Sequence, residues 1–281
     1  MKLGYVTGGF AKWSFREKVE FAQKLGLQSL NMDYNEARGH KAKENPDFPG
    51  ILSDHDVGVG TLNAPVQLVQ PELRQQTMEN CRHACEVAHI LGCRMLQTMA
   101  IFPKGIEIPE RDLWKQMGAL TREACEICAG EDVALAVEAD PPAIVQNLER
   151  MERLLNTVNH KNLFINFDPT NYYMSGSDPL LVIERLGHKI IAGHIKDGIY
   201  KPDSHFAKGV FTSPDIQVEH GFYSTKHEVP IGTGEVDYPV IFKAMKRKGI
   251  DVPMHIEHVG FPEQVINAVN YIRGVLERSA I

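Results

Sequence analysis

Short apolar runs alternate with longer amphipathic stretches along the whole chain. In the longer stretches apolar residues recur every three or four positions, which is typical of helices that bury one face. Strands separated in this way by helices predict a parallel sheet covered by helices. The predicted strands lie at residues 2–6, 27–32, 57–62, 94–99, 133–138, 162–168, 190–195 and 252–257.

Helix boundaries support this alternation. Ser14 and Glu17 have the spacing of a capping box, and Gly26 marks the end of the helix that they begin. Another long amphipathic stretch begins at Pro71 and ends at Gly92. The helical pattern is weakest in the second strand-to-strand interval, where "ENPDFPGILSDHD" contains two prolines and a glycine.

The number of predicted strand and helix units indicates the fold class. Eight strands in a chain of 281 residues fit an α/β protein with a single (β/α)8 TIM barrel, a fold that commonly needs about 250 residues. A doubly wound open sheet is the alternative, but "TGGFAKW" after the first strand lacks the glycine spacing of a dinucleotide-binding loop. We predict one domain over residues 1–281, with a long loop at about 197–236.

Polar residues end four successive predicted strands on the same side-chain parity. In each strand the bulky apolar residues occupy one parity, and small residues followed by a polar residue occupy the other. Both faces of a parallel sheet are buried, so we expect the bulky parity to face the helices and the other to face the barrel axis. The side chains predicted to converge at the mouth of the barrel are Glu138, Asp168, His194 and Glu257.

Three carboxylates and an imidazole brought this close together need a positive counter-charge. Mainly oxygen ligands with one nitrogen suit Mn²⁺ best, with Mg²⁺, Co²⁺ or Zn²⁺ as alternatives. We predict that one divalent metal ion binds to Glu138, Asp168, His194 and Glu257. The competing interpretation is a network of ion pairs, which also gathers charge at strand ends.

Further polar residues near the same strand ends are candidates for substrate binding. Lys196 shares the parity of His194 and is expected to donate to a substrate oxygen, unless it only forms a salt bridge. Asn63 and Gln97 end the third and fourth strands, where amide groups can recognise sugar hydroxyls or hold a loop in place. His255 lies deeper in its strand, which favours a core histidine.

Composition and charge exclude several classes of partner. The hydrophobic share of 43% and the charged share of 23% are those of a soluble globular protein. The net charge of -6, with no run of basic residues, argues against nucleic acid or an anionic membrane surface as a partner. No window approaches the roughly 20 apolar residues of a membrane helix, and we expect a cytoplasmic protein.

Five cysteines without a secretory signal indicate free thiols in a reducing compartment. Cys81 and Cys85 have helical spacing and are expected to pack in the core. "CEIC", with Cys125 and Cys128, has a spacing used by zinc sites, but no second such pair exists. Core packing is therefore the expectation for all four.

These motifs resemble a known superfamily. "VEAD" with Glu138, "NFDPTN" with Asp168, "HIKDG" with His194 and "HIEH" with Glu257 are similar to the xylose isomerase-like TIM barrels, as is "IGTGEVDYPVIFKAM" at the entry into the seventh helix. The superfamily contains sugar isomerases and epimerases, inosose dehydratase and endonuclease IV. The resemblance is most specific over residues 133–262.

The resemblance implies roles for individual residues. In ketose 3-epimerases, the two glutamates that match Glu138 and Glu257 hold the metal and act as acid and base on opposite faces of the substrate carbon. Metal polarisation of a carbonyl favours loss of a neighbouring proton and stabilises an enediolate. The chain departs from the pattern at Asn171, where those enzymes carry a histidine; asparagine can bind a hydroxyl but cannot transfer a proton.

The interval between His194 and Glu257 is about twice that between the other successive candidates. Loops of this length are typical of lids, binding loops and subunit contacts, and we expect a homo-oligomer. The expected function is a metal-dependent isomerase or epimerase of a sugar or polyol. A lyase acting on a keto-inositol or 3-keto-glycoside is the alternative, while an endonuclease would need more metal ligands and a scaffold would need none.

Overall fold

Eight parallel strands form a closed barrel in the computed structural model, which describes residues 1–100, 110–140, 143–203, 216–219, 222–225, 228–257 and 260–278. The strands hydrogen-bond in chain order, and the last one closes the ring between the first and the seventh. They are β1 Leu3–Val6, β2 Ser29–Asp33, β3 Gly58–Asn63, β4 Met95–Met99, β5 Ala134–Glu138, β6 Leu163–Phe167, β7 Ile190–Ile195 and β12 Met254–Ile256. The predicted (β/α)8 barrel is therefore confirmed.

Helices separate the barrel strands. They are α1 Phe15–Lys24, α2 Tyr34–Lys43, α3 Phe48–Asp54, α4 Arg74–Ile90, α5 Glu110–Gly130, α6 Leu148–Val158, α7 Pro169–Met174, α8 Pro179–Leu186, α9 Tyr238–Arg247 and α10 Pro262–Arg278. The predicted capping box begins α1: Ser14 Oγ accepts from the backbone N–H of Glu17, whose side chain accepts from the backbone N–H of Ser14. Gly26 follows α1 with φ +60°, a conformation that glycine adopts at low cost.

The segment with the weakest helical pattern forms two short helices, α2 and α3. The Asp33 carboxylate accepts from two backbone N–H groups at the start of α2. Asp47 accepts from the backbone N–H of Gly50 at the start of α3, and Pro49 occupies the first turn, where its missing N–H costs no hydrogen bond. The prolines therefore divide this segment into two helices.

The two parities of the strands face the two environments that the sequence predicts. Leu135 and Val137 of β5 belong to the hydrophobic core, and burying each such side chain contributes about 1.5–3 kcal/mol. On the opposite parity Glu138 accepts from Asn166 of β6 and Gln97 of β4. Side chains on the Glu138 parity therefore form polar contacts near the mouth, whereas those on the other parity pack in the apolar core.

The predicted long loop at about 197–236 lies partly outside the described residues. Its two ends run side by side, because β8 Asp197–Gly198 pairs antiparallel with β11 Glu228–Val229. Between them β9 Ile216–Glu219 pairs antiparallel with β10 Phe222–Thr225. The segment therefore leaves and re-enters the barrel at one place, directly after Lys196.

The Asp197 carboxylate holds the returning end of this segment. It accepts from the backbone N–H groups of Gly198 (2.9 Å), Gly232 (2.9 Å), Gly234 (2.9 Å) and Val236 (3.3 Å). A Cβ atom on Gly234 would lie 2.2 Å from Asp197 Oδ1, so this approach requires glycine. Hydrogen bonds to an ionised acceptor are among the stronger ones in proteins, and these fix the segment beside the mouth.

Within the described ranges, no helix has both the length and the apolar character that crossing a membrane requires.

Candidate metal centre

The four predicted ligands meet at the carboxyl end of the barrel. One ligand atom from each of Glu138, Asp168, His194 and Glu257 can be chosen so that all of them lie within 4.8 Å of one another. Glu138 ends β5, Asp168 follows β6, His194 lies in β7 and Glu257 follows β12. These strands are neighbours in the barrel, so the predicted convergence is confirmed. We call these residues the mouth cluster.

His194 lies between the two glutamates. Its Nδ1 atom is 3.2 Å from Glu138 Oε1 and 3.4 Å from Glu257 Oε2. On the other side of the ring, Nε2 lies 3.3 Å from Asn31 Nδ2. Burial alone would lower the pKa of His194, but the charges of the two glutamates raise the pKa well above its usual value. In the metal-free protein a proton on Nδ1 therefore lies between the two carboxylates, and a metal ion bound there would replace it.

Glu138 is held by amide groups from three directions. Its Oε2 accepts from Gln97 Nε2 at 2.5 Å and from Asn166 Nδ2 at 3.2 Å. Its Oε1 accepts from Asn171 Nδ2 at 3.1 Å. The side chain is only 2% exposed, so its position is fixed by these donors rather than by water.

The two carboxylate oxygens of Asp168 have different surroundings. Its Oδ1 accepts from the backbone N–H groups of Thr170 (2.8 Å) and Asn171 (3.1 Å), which caps α7. Its Oδ2 is buried without a hydrogen-bond partner. Burial raises the pKa of Asp168 to about 6, although the Lys196 charge opposes this rise. Because Oδ2 accepts no hydrogen bond, its negative charge must be balanced by a nearby cation.

Lys196 supplies part of that positive charge. Its Nζ lies 3.2 Å from Asp168 Oδ2, 3.1 Å from Glu257 Oε2 and 4.0 Å from Glu228 Oε1. Burial would lower its pKa, but Asp168 and Glu257 raise the pKa well above its usual value. Glu228 belongs to β11, so the returning end of the long segment brings a further carboxylate to the mouth.

The predicted substrate-binding residues occupy different places around the mouth cluster. Lys196 contacts two of its members, and Asn171 and Gln97 each donate to Glu138. The oxygen of Gln97 also accepts from Asn31, so both ends of its amide are bonded to protein. Asn63 is half-buried at the carboxyl end of β3 and pairs in register with Gln97.

Sequence reasoning missed the amides that support the cluster from below. Asn31 Nδ2 donates to Gln97 Oε1 at 2.8 Å and also contacts Thr61 Oγ1. Asn166 donates to Glu138. The signal was present in β2, where Ser29, Asn31 and Asp33 alternate with apolar residues, as in the four strands that end in the cluster.

His255 lies below the cluster, as the sequence indicates. The residue is completely buried, and its Nε2 is 2.8 Å from Ser29 Oγ. Burial and the charge of His194 lower the pKa of His255 to about 3, so the ring is neutral at physiological pH. It separates the charged mouth from the apolar core without adding a ligand.

The mouth cluster fits a divalent metal ion. Three carboxylates and one imidazole form the mixed oxygen and nitrogen donor set that suits such ions. Asp168 Oδ2 accepts no hydrogen bond and has only the Lys196 ammonium beside it, and Nδ1 of His194 already faces two other ligand atoms. Hydrogen bonds from amides to a ligating carboxylate are the usual support around such a centre.

Comparison with known proteins identifies a family model that matches this chain. The model of the xylose isomerase-like TIM barrel family matches residues 19–274. A curated relative, the 3-dehydroshikimate dehydratase of Bacillus anthracis, is 21% identical over 236 residues, which cover 83% of this chain and 82% of the relative.

Two solved structures share the fold over their whole length. The IOLI protein, crystallised with a bound zinc atom, has a TM-score of 0.75 and 18% identity, and the match covers 100% of this chain and 96% of that protein. A D-tagatose 3-epimerase-like protein has a TM-score of 0.76 and 16% identity, with coverage of 100% and 98%. At these identities the likeness shows the fold alone.

Proposed function

The chain belongs to the xylose isomerase-like TIM barrel family, and from this membership and the mouth cluster we propose that it is a divalent-metal-dependent isomerase or epimerase. Its substrate would be a small sugar or polyol derivative that carries a carbonyl. The reaction would begin with loss of a proton from the carbon next to that carbonyl and would pass through an enediolate.

One observation carries this proposal: two glutamates approach the same imidazole nitrogen from different strands but differ in exposure to solvent. Glu138 is buried and held by three amides. The Glu257 side chain is 17% exposed and has Lys196 beside it. A base must reach a substrate that arrives from solvent, so we assign proton abstraction to Glu257. Glu138 can return a proton from the other side.

The chain would hold the metal through Glu138, Asp168, His194 and Glu257, which a relative in fold with a bound zinc atom supports. Such an ion, when bound, polarises a carbonyl and stabilises negative charge on its oxygen. Mn²⁺ remains our first choice, since most of the donor atoms are oxygens.

Lys196 places a fixed positive charge beside Glu257. A cation in a buried site stabilises negative charge that develops on a substrate oxygen, because the site contains little water to screen it. Asn171 donates to Glu138 and has no proton to transfer at neutral pH. Proton movement is therefore left to the two glutamates.

A lyase is the second candidate, and the similarity to a 3-dehydroshikimate dehydratase favours it. A dehydratase of a keto compound begins with the same proton abstraction and then expels a β-hydroxyl group. The residues and their roles would be unchanged up to the enediolate or enolate, so the geometry of the mouth cluster serves both reactions.

The test is incubation of the Mn²⁺-loaded protein in D₂O with a panel of ketoses, keto-inositols, 3-keto-glycosides and 3-dehydroshikimate. An isomerase or epimerase incorporates deuterium from solvent and gives a product that otherwise has the mass of the substrate. A product lighter by one water or by a glycosyl group assigns the protein to the lyases.

Two controls separate the chemistry from contamination. Glu257→Gln should remove deuterium exchange, whereas the same change at Glu277, which is exposed near the end of α10, should leave it unchanged. If no compound in the panel exchanges a C–H bond in the metal-loaded protein, proton abstraction is the wrong mechanism.

A further inference from the structure

Three buried thiols meet where α4 and α5 pack together outside the barrel. Cys81 and Cys85 lie one turn apart on α4, and Cys128 comes from α5. The Sγ of Cys128 lies 3.5 Å from that of Cys81 and 4.0 Å from that of Cys85. All three residues are completely buried. We call them the thiol cluster.

The spacing of these sulfur atoms matches a metal triangle. Metal–thiolate bonds of about 2.3 Å place three sulfurs around one ion roughly 4 Å apart. The three Sγ atoms lie within 4.8 Å of one another, and among the described residues no imidazole or carboxylate ligand atom joins them. An ion at the centre would therefore contact sulfur alone after small side-chain movements.

Three sulfur ligands favour a particular kind of metal ion. Soft thiolate ligands favour monovalent copper or zinc over the hard cations that suit the mouth cluster. Structural zinc is almost always four-coordinate, whereas the thiol cluster offers three ligands, all of them completely buried. We propose that Cys81, Cys85 and Cys128 bind one monovalent copper ion in a three-sulfur site.

The three sulfur atoms lie close enough together to share one cation. A thiolate buried on its own would be unfavourable, and the charge of a bound cation offsets that cost.

Binding exchanges protons for the ion. The S–H bonds of the ligating cysteines break, sulfur–copper bonds form, and the protons pass to solvent. Copper enters and remains in the monovalent state, so the step needs no oxidant or reductant. The bound ion would link α4 to α5 and would leave the mouth cluster free for a harder cation.

The experiment is an anaerobic titration of the full-length protein with monovalent copper in competition with a coloured copper(I) chelator. We expect one ion per chain, with X-ray absorption that reports three sulfur neighbours. Cys85→Ser and Cys128→Ser should each weaken binding by more than about tenfold. Cys93→Ser is the matched control, since Cys93 is buried but its thiol donates to the Met95 carbonyl instead.

Several outcomes would overturn the site. These are failure to compete with the chelator, a coordination shell that contains nitrogen or oxygen, and binding that survives both serine substitutions. Circular dichroism and thermal melting establish that each variant is folded. If a serine variant does not fold, the X-ray absorption of the wild-type protein still decides, because a shell of three sulfurs supports the site and any other shell contradicts it.

Discussion

Two clusters of metal-ligating side chains occur among the described residues, and they differ in chemistry and in access. The mouth cluster offers three carboxylates and an imidazole, whereas the thiol cluster offers sulfur alone. Glu257 keeps the first in contact with solvent, whereas every member of the second is completely buried. An accessible oxygen-rich site suits reaction with a substrate, and an enclosed sulfur site suits an ion that stays in place.

The two clusters also differ in electrostatic cost. The mouth cluster gathers like charges in a buried place, and burial together with the charges of Glu138 and Glu257 raises the pKa of Asp168. Its positive groups, His194 and Lys196, compensate for the carboxylates only in part. The thiol cluster contains no carboxylate, and its small side chains pack in the core much as apolar residues do. The charged groups at the mouth therefore lower the stability of the metal-free folded state, at the place where the proposed function requires charge.

The largest expected difference between the two clusters is the effect that a substitution in each of them has on turnover. Glu257→Gln should reduce turnover on the order of 10²–10⁴-fold, because the amide can still ligate but cannot accept a proton. Steady-state rates with the substrate identified from the panel measure this loss, and metal titration shows that binding is largely retained. Cys85→Ser should leave the rate unchanged. Equal losses in both variants would contradict the separation.

Removal of the metal should produce the next largest effect. Binding only to the folded state at a hundredfold excess over the dissociation constant adds about 2.7 kcal/mol to the free energy of unfolding. Urea unfolding with a chelator and then with Mn²⁺ measures the difference. Cys128→Ser should retain this stabilisation, whereas Glu138→Ala should lose it; a chelator without effect on wild-type protein would refute a metal at the mouth.

Asp168 should make the metal-free protein less stable as the pH rises. Its pKa is raised from 3.8 to about 6, so between these values the folded state binds a proton that the unfolded state lacks. Stability therefore falls as the pH rises through this window. Above it, the metal-free Asp168→Asn variant should be more stable than wild type by on the order of 1–2 kcal/mol.

Urea unfolding at several pH values, with and without Mn²⁺, measures this effect. Asparagine keeps an oxygen that can cap α7, so loss of the helix cap should not contribute to the difference in the free energy of unfolding. With Mn²⁺ the order should reverse, because the variant lacks a charged ligand. A metal-free variant that is less stable than wild type at neutral pH would show that Lys196 compensates fully for Asp168.

The mouth cluster could be predicted from sequence because two regularities of the fold are enough to place its residues. The alternation of side chains along a strand determines which of them point inward, and a parallel barrel brings the carboxyl ends of all its strands to one rim. The same rule applied to β2 would have indicated Asn31. The hydrogen bonds of Gln97 with Glu138 and Asn31 depend on side-chain torsions, which no pattern of residue types contains.

The thiol cluster could not be predicted in the same way. Helical spacing places Cys81 and Cys85 on one face of α4, but their contact with Cys128 depends on how α4 and α5 are rotated and shifted against each other. That relation results from the packing of both helix surfaces together. The burial of these thiols in the core was therefore predicted, whereas the meeting of three sulfur atoms from two helices was not.

The smallest expected effect tests whether the two clusters are independent. Cys128→Ala removes one buried sulfur atom, and buried free cysteines behave as small apolar side chains. We expect a loss of about 1 kcal/mol in the free energy of unfolding of the copper-free protein, measured with urea. Turnover should stay at the wild-type level, because α4 and α5 lie outside the barrel. A substantial fall in the turnover of a folded variant would show that the contact between α4 and α5 is coupled to the mouth. That result would contradict the independence of the two clusters.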